Sequence, residues 1–465
     1  MNIILLSGGS GKRLWPLSND IRSKQFIKIF KKEDGSYESM LQRIFHQIQN
    51  ADKDANITIA TAKSQVSTIH NQIGDTVGIC VEPCRRDTFP AIILAASYLH
   101  DIQGISENEP VVVCPVDPYV EEDYFEALKC LSDIAKEKVT NLCLLGIEPD
   151  YPSEKYGYII PDNIFDNTFN HLFSDMSYNT SSDIFSSHGN ISRISKVLTF
   201  KEKPDLSLAE TYIKQGALWN GGVFACRIEY LLKKAYELTG YMDYQNLYDK
   251  YETLDKISFD YAVVEKESDI LVMRFAGQWK DLGTWNTLTE NMEDSVVGNA
   301  RMDKTCQNVH IINELDVPIL CMGLENAVIS ASPEGILVSD KKYSSYIKPY
   351  VDEIKQQVMF AEKSWGSYQV LDVGEKSVTI KIILKQGHQM SYHSHEHRDE
   401  VWTVISGSGK TIVDGMQQTV AVGDVITMQA GCRHTVIAES ELEIIEVQLG
   451  KEISVYDKRK YKYRE

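Results

Sequence analysis

Apolar and polar positions follow different patterns in different parts of this chain. Over the first 290 residues, compact apolar runs at 3–6, 57–60, 77–81, 111–116 and 271–279 read as buried strands. Between them, residues 37–48 carry Met40, Leu41, Ile44, Phe45 and Ile48 at helical spacing. Residues 91–99 form an apolar helix that starts at Asp87 or Thr88, just ahead of Pro90. Strands alternating with helices predict an α/β domain with a largely parallel sheet. Residues 163–190, rich in Asn, Ser, Asp and Phe, read as a surface insertion. From residue 291 the pattern changes. Short runs at 309–312, 319–322, 327–330 and 336–338 sit between Gly, Asn and Asp turns and predict a small β-helical stack. A helical linker over 344–361 follows. Residues 361–446 are dominated by short alternating strands and glycine turns and predict a β-sandwich or barrel. The boundaries are therefore 1–290, 291–360 and 361–465.

Composition narrows the partners. A formal net charge of −18 argues against nucleic acid and anionic membrane surfaces. No apolar run reaches membrane-spanning length, and the first one leads into glycines rather than a cleavage site. The nine cysteines are scattered, mostly within apolar runs and without a C-x-x-C pair. That usage predicts reduced core residues and a cytoplasmic protein.

The chemistry is densest at the start. Directly after the first strand come Gly8, Gly9 and Gly11, then Lys12 and Arg13, with Lys24 a short loop later. Glycines let backbone N–H groups approach an anion, Arg grips two phosphate oxygens at once, and Lys adds a mobile charge. This pattern suits a triphosphate cradle; the plainer reading is a turn with solvated charges. A P-loop is excluded because Arg13, not Ser or Thr, follows Lys12, and the G-x-G-x-x-G spacing is absent. Asp117 stands at the end of the run 111–116, and Asp281 just beyond the run 271–279. Carboxylates at strand carboxyl ends face a ligand crevice and suit magnesium. The alternative for either residue alone is a helix cap.

The stretch 8–26, with Leu14-Trp15-Pro16-Leu17-Ser18 and Lys24-Gln25-Phe26, resembles the sugar-nucleotidyltransferase signature, most closely that of long, two-domain bacterial mannose-1-phosphate guanylyltransferases. Lys12 stands where that family has Thr, and Ser23 where it has Pro. The resemblance extends, with gaps, over nearly the whole chain. It implies a Rossmann-like, GT-A-type fold in which Leu6, Gly8, Gly9, Gly11, Lys12, Arg13, Arg86 and Asp87 bind GTP. Asp87 replaces the usual Asn within Glu82–Pro90. An ionised carboxylate there could accept guanine N–H groups, or simply cap a helix. The resemblance also implies that Asp117 and Asp281 hold Mg2+, with Pro118 in place of the family's His. Gly157 in Tyr156-Gly157-Tyr158-Ile159, Glu202 and Lys203 in Glu-Lys-Pro, and Asn220 in Trp-Asn-Gly-Gly would bind the sugar 1-phosphate. Asp260-Tyr261-Ala262 matches a further family segment, read here as orienting the sheet edge.

Near the carboxyl end, Gly387, His393, His395, Glu400, Gly407, Gly423, Gly431 and His434 follow the cupin pattern. Histidines at alternate strand positions face one side, as a single metal requires. Three imidazoles and a carboxylate suit a divalent transition metal without selecting Zn, Mn, Fe or Ni. His397 would extend that face if the strand continued. Lys363-Ser364-Trp365-Gly366 and His395-Glu396-His397-Arg398-Asp399-Glu400 resemble the type II phosphomannose isomerase domain fused to these transferases. His393 replaces the usual Gln and Val401 the usual His.

The expected function is transfer of a guanylyl group from GTP to mannose 1-phosphate, giving GDP-mannose and pyrophosphate. Arg13, Lys24, Asp117 and Asp281 would carry the catalysis. Two alternatives remain: a bifunctional enzyme whose cupin interconverts mannose 6-phosphate and fructose 6-phosphate, and a sugar-nucleotide-binding regulator without turnover. A homo-oligomer is compatible with either.

Overall fold

The structure, a computed structural model, describes residues 1–8, 11–19, 21–162, 194–354, 358–451, 453–454 and 457–462. The predicted insertion at 163–190 and the candidate Gly9 lie outside them. The described residues form two compact units: Met1–Gly9 with Gln25–Leu282, and Ser10–Lys24 with Gly283–Glu465.

The strands of the first unit, in chain order, are β1 (Asn2–Leu6), β2 (Lys28–Lys31), β3 (Tyr37–Ser39), β4 (Asn56–Ala62), β5 (Gly78–Glu82), β6 (Pro110–Pro115), β7 (Pro118–Val120), β8 (Leu142–Ile147), β9 (Gly157–Pro161), β10 (Ile194–Lys201), β11 (Leu218–Arg227), β12 (Ile270–Phe275) and β13 (Trp279–Asp281). Nine of them form one sheet in the order β5-β4-β1-β6-β11-β8-β12-β10-β9. Strands β5, β4, β1 and β6 are parallel neighbours, while β11 enters antiparallel between β6 and β8. The run 111–116 is apolar throughout because β6 is buried along nearly its whole length. The helix Thr88–Ser97 is buried from Phe89 onward, so it shows no amphipathic period.

Two expectations need correction. The helix predicted over 37–48 runs over Met40–Ala51, and its first predicted turn is strand β3. Ser39 sets that boundary: its side chain accepts from the Gln42 N–H, and the Gln42 side chain accepts from the Ser39 N–H. The run 271–279 is not one strand but two, β12 and β13, interrupted at 276–278. A Cβ at Gly277 would lie 2.0 Å from Asp123 Oδ2, on the helix Glu122–Lys136, and 2.4 Å from Phe275 Cζ, so the chain passes that helix at a glycine.

In the second unit, Val296–Gly298, His310–Asn313 and Ala327–Ser332 stack in parallel, as do Ala300–Met302 and Ile319–Cys321. These two rows are the predicted β-helix, closed around Val309, Ile311, Cys321, Ala327 and Ile329. The helical linker is shorter than predicted: a 3-10 turn at Tyr343–Tyr346 and a helix at Lys348–Glu353. Beyond it, six-stranded and five-stranded sheets pack their inner faces around Trp402, Val404, Val436 and Leu442, a cupin-type barrel. All nine cysteines are free thiols and most are buried.

Candidate functional sites

The carboxyl ends of β1 and β6 lie side by side, with Leu6 opposite Pro115. The Val116 N–H donates to the Leu6 carbonyl at 3.2 Å, and the Ser7 N–H to the Ala60 carbonyl at 2.9 Å. Gly8 emerges from this edge exposed to solvent. Asp117 lies two residues beyond the end of β6, just ahead of β7. Strands β7 and β13 then pair antiparallel with Asp281 opposite Pro118. Two carboxylates far apart in sequence thus arrive at adjacent positions beside the end of β1. Both are half-buried. A pair of oxygen donors with no nitrogen or sulfur is the donor set magnesium prefers.

The four sugar-side candidates also come together. Gly157 lies opposite Asn220 across β9 and β11. A Cβ on Gly157 would lie 2.5 Å from Glu202 Oε2 and 2.9 Å from Phe200 Cζ, so a glycine is required for this approach. Lys203 is ion-paired with Glu202. Asn220 Nδ2 donates to Asp260 Oδ1 at 2.7 Å. Asp260, expected to orient the sheet edge, belongs to this cluster. Burial, and then the charge of Glu202, push its carboxyl up to about 6. Tyr156 ties the cluster to the carboxylate pair. Its ring lies 4.7 Å from Trp219 and 5.6 Å from Trp279, and burial, followed by the Asp281 charge, raises its pKa.

Asp87 is exposed, has φ 71°, and its carboxylate accepts from the Thr88 N–H at 2.8 Å. That is the cap geometry of the two readings left open. Arg86 donates to the Glu252 carbonyl. Gly11, Lys12, Arg13 and Lys24 belong to the second unit. Gly11 takes φ 53° and leads into the turn Lys12–Leu14; Arg13 is exposed. Lys12 Nζ lies 3.0 Å from Asp352 Oδ1.

In the cupin, His393, His395, Glu400 and His434 converge, with one ligand atom of each lying within 4.8 Å of the others. All four side chains are buried. Each histidine places Nδ1 against a backbone carbonyl: Ser391 at 2.6 Å, Asp457, and Cys432 at 3.0 Å. Those bonds fix the proton on Nδ1 and leave Nε2 as the donor to the centre. His434 Nε2 and Glu400 Oε2 lie 3.2 Å apart without a well-aligned hydrogen bond, as expected of atoms meant for a common metal. His397 falls in a bend and is exposed, so it is not on the ligand face.

Arg398 lies beside this centre, its Nε 3.0 Å from Glu400 Oε1 and its Nη2 3.1 Å from His395 Nε2. The cluster opens into a cavity of about 300 Å³ lined by Lys363, Arg398, Glu446, Lys458 and Lys460. Burial, and then the Glu400 charge, push the Glu446 carboxyl up. Burial pushes Lys458 down to about 8. Neither Glu446 nor Lys458 stands out in the sequence, and Arg398 enters it only as part of the motif His395–Glu400. Glu446 had a signal: it shares the inward register of Leu442, Ile444 and Gln448 along an alternating strand.

A family model for nucleotidyl transferases matches residues 2–296, and one for the mannose-6-phosphate isomerase C-terminal domain matches 352–461. The mannose-1-phosphate guanylyltransferase of Salmonella montevideo is 26% identical, the alignment covering 96% of this chain and 95% of that protein. The xanthan biosynthesis protein XanB of Xanthomonas campestris (strain B100) is 27% identical, with 96% and 95% covered. The solved structure of a mannose-1-phosphate geranyltransferase from Thermus thermophilus covers 76% of this chain and 98% of its own at TM-score 0.58 and 24% identity, a likeness of fold. Among the described residues, no helix is long and apolar enough to cross a membrane. The first match spans more than half the chain, over the same residues whose strand ends bring Asp117 beside Asp281, and the chain therefore belongs to the nucleotidyl transferase family.

Proposed function

We propose that the protein is a mannose-1-phosphate guanylyltransferase, making GDP-mannose and pyrophosphate from GTP and mannose 1-phosphate. The pairing of Asp281 against Pro118, which sets a second carboxylate beside Asp117, carries this reading. The full-length relatives of that name support it. A sugar-phosphate oxygen attacks the α-phosphorus of GTP; the new P–O bond forms as the α–β bridge breaks and pyrophosphate leaves. The second pKa of a phosphate monoester is about 6, so the nucleophile is already ionised at neutral pH and needs no base. Alignment and charge neutralisation supply the rest. Asp117 and Asp281 would hold Mg2+, which offsets charge on the reacting phosphates. Arg13 and Lys12 hold the leaving pyrophosphate, and Lys24 neutralises the α-phosphate. Lys203 takes the sugar phosphate, while Glu202, Asn220 and Asp260 take sugar hydroxyls around the Gly157 backbone. The test is pyrophosphate release with a panel of nucleotides and sugar 1-phosphates. Highest kcat/KM for GTP with mannose 1-phosphate is expected, and a different best pair would replace both substrate names.

The cupin cavity favours a second reading, an additional isomerase interconverting mannose 6-phosphate and fructose 6-phosphate. Lys363, Lys458 and Lys460 supply positive charge for a phosphate, and Glu446 a carboxyl to move the proton between C1 and C2. The metal would polarise the sugar carbonyl. A coupled assay with mannose 6-phosphate tests it; no turnover by metal-loaded protein would leave the domain a binding module.

A further inference from the structure

The loop that carries Lys12, Arg13 and Lys24 is built into the second unit. Its backbone is held at two carbonyls. Trp285 Nε1 donates to the Trp15 carbonyl at 3.1 Å, and Ser332 Oγ to the Pro16 carbonyl at 2.7 Å. The Trp15 ring lies against Gly335, where a Cβ would come within 2.5 Å of it. Past the turn, Arg22 Nη1 and Nη2 donate to Glu314 Oε2 and Oε1 at 2.6 and 2.8 Å, a two-point grip that fixes orientation as well as position. The Arg22 guanidinium also lies 5.7 Å from the centre of the Phe360 ring. Trp285, Glu314, Ser332 and Gly335 come from the β-helix and the short helix before it. Lys12 differs from the rest. It makes an ion pair with Asp352 in which the two side chains are 30% and 45% exposed, where such a pair is weak.

We infer that the β-helix holds this loop in its triphosphate-binding shape, with Glu314 as a positioning residue acting through Arg22, and that Asp352 is a placeholder anion which the triphosphate displaces from Lys12. The inference rests on the proposed role of Lys12 and Arg13. Its two halves have opposite signs. Removing the Glu314 charge loosens the loop and weakens GTP; removing the Asp352 charge takes away one anion that competes with the triphosphate for Lys12 and strengthens it. A contact that merely stabilised the fold would weaken GTP in both cases.

The experiment measures KM for GTP and for mannose 1-phosphate on the full chain, for Glu314→Gln, Asp352→Asn and the exchange Arg22→Glu with Glu314→Arg. Glu314→Gln should raise KM for GTP roughly tenfold, leaving kcat at saturating GTP and KM for the sugar phosphate within about twofold. The exchange should recover most of the loss. Asp352→Asn should lower KM for GTP roughly two- to fivefold. Thermal unfolding of each variant separates loss of fold from loss of position. If Glu314→Gln is insoluble, the exchange and Asp352→Asn still decide. Shifts in the same direction, or no shift, overturn the inference. Arg13→Ala is the control: unchanged GTP affinity there refutes the triphosphate role itself, whereas a large loss there with silent Glu314 and Asp352 variants refutes only the inference.

Discussion

The carboxylate pair of the first unit and the ligand cluster of the cupin are assembled differently. His393, His395 and Glu400 lie within eight residues of sequence, and His434 pairs directly with His393 across two strands. Backbone carbonyls set each imidazole before any metal arrives. Asp117 instead immediately precedes β7 and Asp281 ends β13, and these two positions, distant in the chain, become neighbours only because β7 pairs with β13. The cupin centre is thus preorganised by its own walls, with three borderline imidazole nitrogens and one carboxylate, a set that suits a transition metal. The strand-end pair offers two carboxylates, half-open to solvent, a donor set of the kind magnesium prefers.

Four variants would break or sharpen this contrast. The largest effect is expected from Asp281→Asn, which keeps shape but removes a charge. Pyrophosphate release should fall by about 10³-fold at limiting magnesium with the melting temperature unchanged. Near-normal turnover there would dissolve the metal assignment. Next, elemental analysis of wild type should find about one transition metal per chain, and His395→Ala close to none. Metal-free wild type would mean that the preorganised centre is a structural cluster.

The third effect depends on pH. The Asp260 carboxyl titrates at about 6 in the folded chain against an ordinary 3.8, so the folded state binds its proton more tightly than the unfolded chain does. Below pH 3.8 both states are protonated and nothing is lost. As pH rises to 6 the unfolded chain ionises first, a penalty accumulates, and above 6 it is constant. Asp260→Asn can keep the bond to Asn220 and should be more stable than wild type by on the order of 1–2 kcal/mol at about pH 7, with the difference vanishing near about pH 4. A pH-independent difference would remove Asp260 from the charged cluster. The smallest effect is expected at Asp87, whose carboxylate caps a helix. Asp87→Ala should cost about 1 kcal/mol of stability and weaken GTP, ATP and UTP alike; a selective loss of GTP would restore the guanine reading.

Local patterns made part of this legible in the sequence. Alternation marks His393, His395 and the cupin strands, and an apolar run ahead of an acid marks Asp117; Asp281 is marked only by lying just beyond a run that the structure divides in two. Less was visible where one position answers to distant partners. Nothing local says that the run 271–279 must break, because the obstacle at Gly277 is Asp123 from another helix. Asp260 reads as a sheet-edge acid until Asn220 and Glu202 meet it in space. Lys458 reaches the cavity on a segment after the last predicted strand, where its own neighbours carry no periodicity. Nor could the pattern of 11–24 announce that these residues fold with the second unit rather than with the strand that precedes them.

The brackets on that loop also impose an order in time. They join residues 270, 292 and 316 positions apart, so the loop leaves the ribosome long before anything that holds it. Chains fold from the amino end as they are made, and contacts of such separation close last. The sheet of the first unit can form around β1 while the loop is still unanchored. Acquiring a fixed loop is then a late event in the birth of the protein, one that waits for the β-helix to be translated. A nascent chain stalled before residue 285 would carry the strand-end carboxylates but lack the contacts that hold the loop.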